Sequence, residues 1–377
     1  MAESTVIIGG GIAGIAAART LQHAEIPFTL VTPQWGGRIE TSQDGHTNYG
    51  AYILPDTSRH ILQFATKGRR IHPLKIHFHN KKKSYRFASA ILKREWELWR
   101  LLKATTYFQE EFLTFRDQCL TTPQDEALRN SEYLFKLYNT PAEEWIQTKR
   151  IANIVYEYIE EAVYMCTFTP IKDLNAFDLM QIAMYIDIPV FEFELNLEDM
   201  IGPIKDYRLD ASVELMEKST SGYTLTLNDK NKLQADRVIL AVDAATGSSL
   251  LQLKHDRIEA KAHMFHVKGQ LKEKHEGDLE IFNDDSPTIF ISRQEDGSHL
   301  FYSTSSNPEL DEFFIDPQVI AHRFWDPAFL IGGHQLISMK QNNQLWLAGD
   351  YNAIGLENSY ISGISAANQI IYEIKAS

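Results

Sequence analysis

Thr5-Val6-Ile7-Ile8-Gly9-Gly10-Gly11-Ile12-Ala13-Gly14 is a short apolar run that ends directly in glycines. Gly9, Gly11 and Gly14 have the G-x-G-x-x-G spacing of a dinucleotide-binding turn. Gly9 permits the tight turn from strand to helix, Gly11 leaves room for a pyrophosphate against the backbone, and Gly14 lets the helix pack close to the sheet. The helix opens near Ile12, with its unpaired N–H groups and positive dipole end towards the phosphates. Ile15 to Leu21 continues it with small residues and an apolar stripe. Pro27 breaks the chain, and Phe28-Thr29-Leu30-Val31 reads as a second parallel strand. An acid usually follows that strand to bind the adenosine ribose. Here stands Thr32, which brings no charge, a loss of roughly 1–2 kcal/mol relative to a carboxylate. No Arg or Lys stands beside it, so a 2′-phosphate is not favoured either.

The chain has 377 residues, 44% hydrophobic and 23% charged, which suits a soluble globular protein with room for two domains. Its only cysteines, Cys119 and Cys166, form no CxxC pattern, so a disulfide framework or zinc ribbon is not expected and a reducing compartment fits. From this pattern neither a secretory leader nor a bilayer-spanning run is expected. The expected location is the cytoplasm, with peripheral membrane contact as an alternative.

The net charge of −13 is unevenly spread: His60 to Lys103 holds twelve Lys/Arg against Glu95 and Glu97, while the remainder has a balance of −23. This does not describe a general nucleic-acid binder. The basic segment reads either as a solvated face or as a docking surface for an anionic partner or lipid headgroup. On a helical wheel Ile91, Leu92, Leu98, Trp99 and Leu102 share one face, with Lys93, Arg94, Arg100 and Lys103 on the other. Such a helix suits an interface or a core.

Further along, Trp35-Gly36-Gly37-Arg38 places a cation beside the phosphate path, and Tyr49-Gly50-Ala51-Tyr52 is a second close-approach segment. Amphipathic helical stretches are predicted over 89–118, 124–138, 142–165 and 174–186, the last with Asn175 at its cap, and strands within 71–87. The chain then returns to strands: 209–217, 223–227, a buried run Arg237 to Val242 ending at Asp243, 264–272, 288–292 and 299–303. Leu345-Trp346-Leu347-Ala348-Gly349-Asp350 is another buried strand, leading through Gly355 into a final helix, 357–374.

In combination these motifs resemble the flavin amine oxidase, phytoene desaturase and renalase-like group of FAD-dependent oxidoreductases. The residues that carry the resemblance are Gly9-x-Gly11-x-x-Gly14, Gly36-Gly37-Arg38, the strand Ala235 to Ala241, and Leu347-Ala348-Gly349-Asp350 with Glu357-Asn358-Ser359-Tyr360-Ile361-Ser362-Gly363. The resemblance covers about half the chain. It implies an α/β architecture: a Rossmann-like FAD-binding domain with a parallel sheet and helices (1–55, 200–260 and 335–377) and a mixed helical and β substrate domain (56–199 and 261–334). The implied cofactor is FAD, expected to be held noncovalently because no Cys is placed near the flavin end of the sequence. Gly9, Gly11, Ile12, Ala13 and Gly14 would seat the pyrophosphate, Thr32 would meet the ribose, and Gly36, Gly37 and Arg38 would line the phosphate and ribityl path. Gly50, Ala51, Ala241, Asp243 and Gly349 would flank the cofactor, and the Val213 backbone would pair with adenine. Asp350 would bond the ribityl chain or a phosphate. Leu356, Glu357, Asn358 and Ser359 would bring the last helix to the flavin, with the Ser359 N–H on the pyrimidine ring, where a helix N-terminus favours negative charge.

The departures are specific. Thr32 replaces an acid, Asn358-Ser359 stands where the group often has Gly-Ala, and Gly355 leaves out an aromatic that amine oxidases commonly place near the flavin. Simple amine oxidation is therefore not favoured. Lys268, or else Lys261, is the candidate for the lysine that many flavin oxidases hold near the flavin. Phe324-Trp325-Asp326-Pro327 resembles an aromatic turn bordering it, with Trp325 on the cofactor. His77-Phe78-His79 puts two imidazoles on one face of a strand, but no third ligand is spaced for a closed shell, so no metal is expected. A G-x-S-x-G elbow is absent from the sequence. The expected activity is hydride transfer from a small organic substrate to FAD and then to oxygen or another acceptor. The alternatives are a dinucleotide-binding protein without turnover and a peripheral-membrane desaturase acting on a lipid or isoprenoid.

Overall fold

The computed structural model describes residues 4–72, 75–80, 83–86, 94–186, 188–275 and 277–376. Its centre is a six-stranded sheet built from both ends of the chain. In spatial order the strands are Lys340–Asn342, Leu345–Leu347, Arg237–Leu240, Thr5–Ile8, Phe28–Val31 and Arg208–Leu209. All neighbouring pairs are parallel except the first. Val6, Ile7, Val238, Ile239 and Leu345 are buried on both faces, as an apolar run without alternation requires.

The first helix, Ile12–His23, and the last, Leu356–Ala376, cover one face together. Their backbones approach so closely that a Cβ on Gly363 would collide with the Ala13 carbonyl, so this glycine exists for helix contact. A Cβ on Gly14 would collide with the Gly9 carbonyl, which is the close packing its place in the motif demands.

A second sheet of seven strands runs in the order Phe314–Ile331, Ile258–Leu271, His299–Ser303, Thr288–Arg293, Leu279–Phe282, Ile76–Asn80 and Lys83–Arg86. Helices between Glu95 and Ala183 pack beside it around Phe108, Phe112, Phe115, Tyr138 and Phe177. A small sheet of Ile53–Pro55, Val190–Leu195 and Ala65–Arg70 lies between these parts in the sequence.

Several predicted elements are interrupted. The 124–138 stretch is two helices, Gln124–Asn130 and Glu132–Tyr138, because Ser131 leaves the helical conformation to cap the second through its hydroxyl. The 142–165 stretch is broken at Arg150, which is left-handed. Asn175 caps Ala176–Ala183 as predicted, accepting from the Asp178 N–H at 2.8 Å. The strands Ala65–Arg70, Val190–Leu195 and Phe314–Ile331 are not predicted. The last of these includes Phe324 to Pro327, so those residues form part of a strand and not a free-standing turn. Pro317 and Pro327 disguise it in the sequence, yet an edge strand tolerates proline.

The wheel drawn for 91–103 also differs. Ile91, Leu92 and Lys93 lie outside the described residues. The helix Glu95–Gln118 buries Leu101, Thr105, Phe108 and Phe112, while Trp96 and Trp99 are 77% and 57% exposed. Among the described residues no helix is long and apolar enough to cross a membrane.

Candidate functional site

One cavity of about 650 Å³ begins at the glycine turn and ends among aromatic side chains. That lies within the usual span of roughly 300–1,000 Å³ for a cofactor or ligand pocket. Gly9, Gly11, Ile12, Ala13, Thr32, Gly36, Gly37, Arg38, Gly50 and Ala51 line it from the N-terminal segment. Val213, Ala241, Asp243, Trp325, Gly349, Asp350, Leu356, Glu357, Asn358 and Ser359 line it from more than 150 residues later in the chain. Gly14 does not line it; it packs on Gly9 instead.

The glycine turn is held from both sides. Gly9 has φ +108° and receives no Cβ, since one would collide with the Ala241 carbonyl. Gly36 N–H donates to Gly10 O at 2.9 Å. A Cβ on Gly11, by contrast, meets nothing of this chain closer than 3.9 Å, so the space over Gly11 is kept open by the fold and not filled by it.

Three predicted contacts take a different form. Thr32 is buried, its hydroxyl accepts from Gly10 N–H at 3.0 Å, and its proton goes to Gln34 O at 2.6 Å. It therefore braces the glycine turn and has no donor left for a ribose. Ser359 N–H donates to Gly355 O at 3.0 Å, so it belongs to the helix ladder. The groups without an intrahelical partner are one turn earlier, on Leu356, Glu357 and Asn358. Lys268 is exposed and does not line the cavity. Lys268 shares a strand face with Met264, which is buried, but lies four residues further along the strand, beyond the cavity. Lys261 is exposed as well, paired to Asp326 at 2.7 Å.

The charged groups of the cavity are mostly partnered. Arg38 Nη2 donates to Asp350 Oδ1 at 2.7 Å and its Nη1 contacts Ala328 O. Burial opposes the Arg38 charge, but Asp350 outweighs it and raises the pKa. Asp243 caps Ala244–Leu251, accepting from Thr246 N–H and Oγ1 at 2.9 and 2.8 Å. Glu357 accepts from His60 N–H, His60 Nδ1 and Ile61 N–H at 3.0, 2.8 and 3.1 Å. Burial would raise the Glu357 pKa; these donors overcome it and hold it below the usual range.

Arg116 is different. It is 6% exposed, and Nε donates to Asn358 Oδ1 at 2.8 Å, with no carboxylate in ion-pair range among the described residues. Burial pushes its pKa down. Around it the far end is built from Phe112, Met165, Cys166, Phe168, Gln181, Tyr185, Tyr302 and Phe329. Burial lifts the Cys166 thiol and the Tyr185 hydroxyl each to about 12, so both are neutral at pH 7. No His or Lys lines the cavity among the described residues. None of these far-end residues carries a motif; only their convergence in space marks them.

Residues 7–67 match a family model described as an NAD(P)-binding Rossmann-like domain. Among solved structures, putrescine oxidase bound to putrescine superposes with TM-score 0.70 at 12% identity, covering 100% of this chain and 99% of that one. The chain has the fold of the flavin amine oxidases. Cyclohexylamine oxidase from Brevibacterium oxydans gives TM-score 0.66 at 13% identity over 100% of this chain and 99% of that one. An oxidoreductase from Methanosarcina mazei gives 0.62 at 14% over 96% and 99%. A comparison with curated proteins finds no match.

Proposed function

We propose that the protein is an FAD-dependent oxidoreductase that holds FAD without a covalent bond and oxidises a small, largely apolar organic molecule. The observation that carries this is the open space over Gly11 at one end of a cavity that also takes in the first turn of the last helix and the aromatic cluster. A bound flavin would supply a two-electron acceptor for a hydride. This chain would seat its phosphates on the N-terminus of Ile12–His23 and set the unpaired N–H groups of Leu356, Glu357 and Asn358, with their helix dipole, where negative charge develops. Arg38 and Asp350 would fix the connecting chain between these two ends. Phe168, Tyr302 and Phe329 exclude water from the reacting end. With no neutral-pH base in the wall, positioning and fixed electrostatics do the catalytic work. Cys166 is a neutral thiol, and Cys119 does not line the cavity, which supports noncovalent attachment.

Arg116 bears on the substrate. A buried guanidinium with no salt-bridge carboxylate among the described residues, only the more distant Glu357, disfavours a second cation nearby and favours a neutral or anionic molecule. Diamines of the putrescine kind, cationic at both ends, fit this cavity poorly. The test is a visible spectrum of untreated protein, then anaerobic mixing with neutral amines, amino acids and diamines. A flavin spectrum that bleaches with one of the first two classes supports the reading. Colourless protein that does not take up FAD overturns it, and flavin that reacts with no donor but photoreduces leaves a binding protein without turnover.

One surface favours the lipid alternative: Trp96 and Trp99 stand exposed on a helix that carries Lys103, whose Nζ lies 5.5 Å from the Trp99 ring centre. An anionic bilayer is the partner such a patch suits. Sedimentation with phosphatidylserine vesicles at low salt should be lost in Trp96→Ala/Trp99→Ala; no binding by the parent protein removes this reading.

A further inference from the structure

Away from the cavity, Ile76–Asn80 runs parallel to Leu279–Phe282, with His77 opposite Glu280. Glu280 is fully buried, and no Lys or Arg pairs with it among the described residues. Its company is imidazole. His79 Nε2 contacts Oε2, His77 Nδ1 lies 3.2 Å from Oε1, and His275 Nδ1 lies 3.6 Å from Oε2. His275 is 5% exposed, and neither of its ring nitrogens has a hydrogen-bond partner. A buried ring with one nitrogen 3.6 Å from a carboxylate oxygen, too far for a hydrogen bond, and the other without any partner is an anomaly that asks for a missing partner. The ligand atoms of His79, His275 and Glu280 all lie within 4.8 Å of one another.

We propose that His79, His275 and Glu280 bind one divalent transition-metal ion of the Zn²⁺ class. Two imidazoles and a carboxylate are the donor set for such an ion, and three protein ligands leave a fourth position for water. Bonds of about 2.1 Å in a tetrahedron separate ligand atoms by roughly 3.4 Å, so entry of the ion parts His79 from Glu280 slightly and draws His275 in. The ion's charge compensates the buried carboxylate. It also gives His275 the partner it lacks.

The surroundings fit outer-shell support. His79 Nδ1 faces Ser84 Oγ at 2.8 Å. Glu280 Oε1 accepts from Gly277 N–H at 2.5 Å. Arg86 Nε donates to His77 Nε2 at 3.0 Å, which leaves the His77 proton on Nδ1, directed at Glu280. His77 is thus a positioning residue. Such hydrogen bonds fix ring orientation and carboxylate geometry in metal sites. The His79 side chain is 13% exposed, which gives the ion a way in from solvent. A filled site would tie the penultimate strand of the sheet, Ile76–Asn80, to a segment about 200 residues later and stabilise that end of the sheet.

The experiment is calorimetric titration of chelator-treated, flavin-loaded protein with ZnCl₂, with thermal melting and Co²⁺ absorption alongside. The expected result is one ion per chain at micromolar affinity or tighter, a rise in Tm with Zn²⁺ but not Mg²⁺, and a visible Co²⁺ band of tetrahedral intensity. His275→Ala removes a ring that makes no hydrogen bond, so it should fold, keep its flavin and bind Zn²⁺ roughly 100-fold more weakly; His77→Gln should weaken it roughly 10-fold. His263→Ala, at an exposed histidine pair outside the cluster, should change nothing. If the parent protein binds no Zn²⁺ at about 1 mM, or if His275→Ala binds it equally well, the proposal is wrong and the histidines serve only as hydrogen-bond partners of Glu280. Should His275→Ala not fold, the Zn²⁺-specific Tm shift and Co²⁺ band of the parent protein decide alone.

Discussion

Arg38 and Asp350 stand 312 residues apart in the chain and meet at 2.7 Å on the wall of the cavity. The contact ties the glycine segment after the second strand to the end of the last strand. Asp350 Oδ1 holds Arg38, and Asp350 is itself part of the cavity wall. Asp350→Asn keeps the shape but removes a charge-assisted bond of about 1.5–3 kcal/mol. FAD dissociation, followed by fluorescence, should become roughly 10- to 100-fold more favourable, and Arg38→Met should behave similarly.

The glycines separate ligand from fold. Gly11→Val introduces a side chain into open cavity space at an ordinary φ of −75°. Its melting temperature in the flavin-free state should stay near that of the parent, while flavin content falls to zero. Gly363→Val forces the first and last helices apart at the Ala13 carbonyl. That should cost at least the 1–3 kcal/mol typical of overpacking, seen by denaturant melts with and without FAD. If Gly11→Val retains full flavin, the seating of the cofactor is wrong.

Glu357 predicts a pH dependence. Its folded pKa is depressed below the ordinary carboxylate value, so the stability it adds is fully present above about pH 4.5 and is lost as pH falls through the lower folded value. Glu357→Gln should be less stable than the parent by about 1–3 kcal/mol at neutral pH, with the gap narrowing as pH is lowered from about 5 to 3. Urea melts over that range measure it; a gap that stays constant or widens on acidification contradicts the assignment.

Asn358 is the anchor of the last helix. Its Oδ1 accepts from Arg116, its Nδ2 donates to Ile354 O at 2.6 Å, and its carbonyl accepts from Gln124 Nε2 at 3.0 Å. Asn358→Ala strips a buried cation of its nearest acceptor and should cost about 2–4 kcal/mol, well beyond a typical surface change. A loss below about 1 kcal/mol would show that Arg116 finds water or another acceptor.

The Rossmann-like half of the fold was legible because its signals are local. A strand entering Gly9, a helix leaving Gly11 and a buried strand ending at Gly349-Asp350 each depend on a few consecutive residues. The long strand Phe314–Ile331 was not legible, because its prolines argue against strand and only its edge position excuses them. The place of Lys268 is not legible either, because how far along its strand the cavity reaches depends on packing against other elements and not on its own sequence.

The sequence by itself determined the dinucleotide turn and the strands beside it, since steric and hydrogen-bond rules act between near neighbours. Only the tertiary structure decided what each polar group is free to do. It engaged the Thr32 hydroxyl and the Ser359 N–H, brought Arg116 to Asn358 and assembled His79, His275 and Glu280. Those outcomes depend on partners far away in the chain, and no periodicity or spacing encodes which distant donor will meet which acceptor once the core has packed.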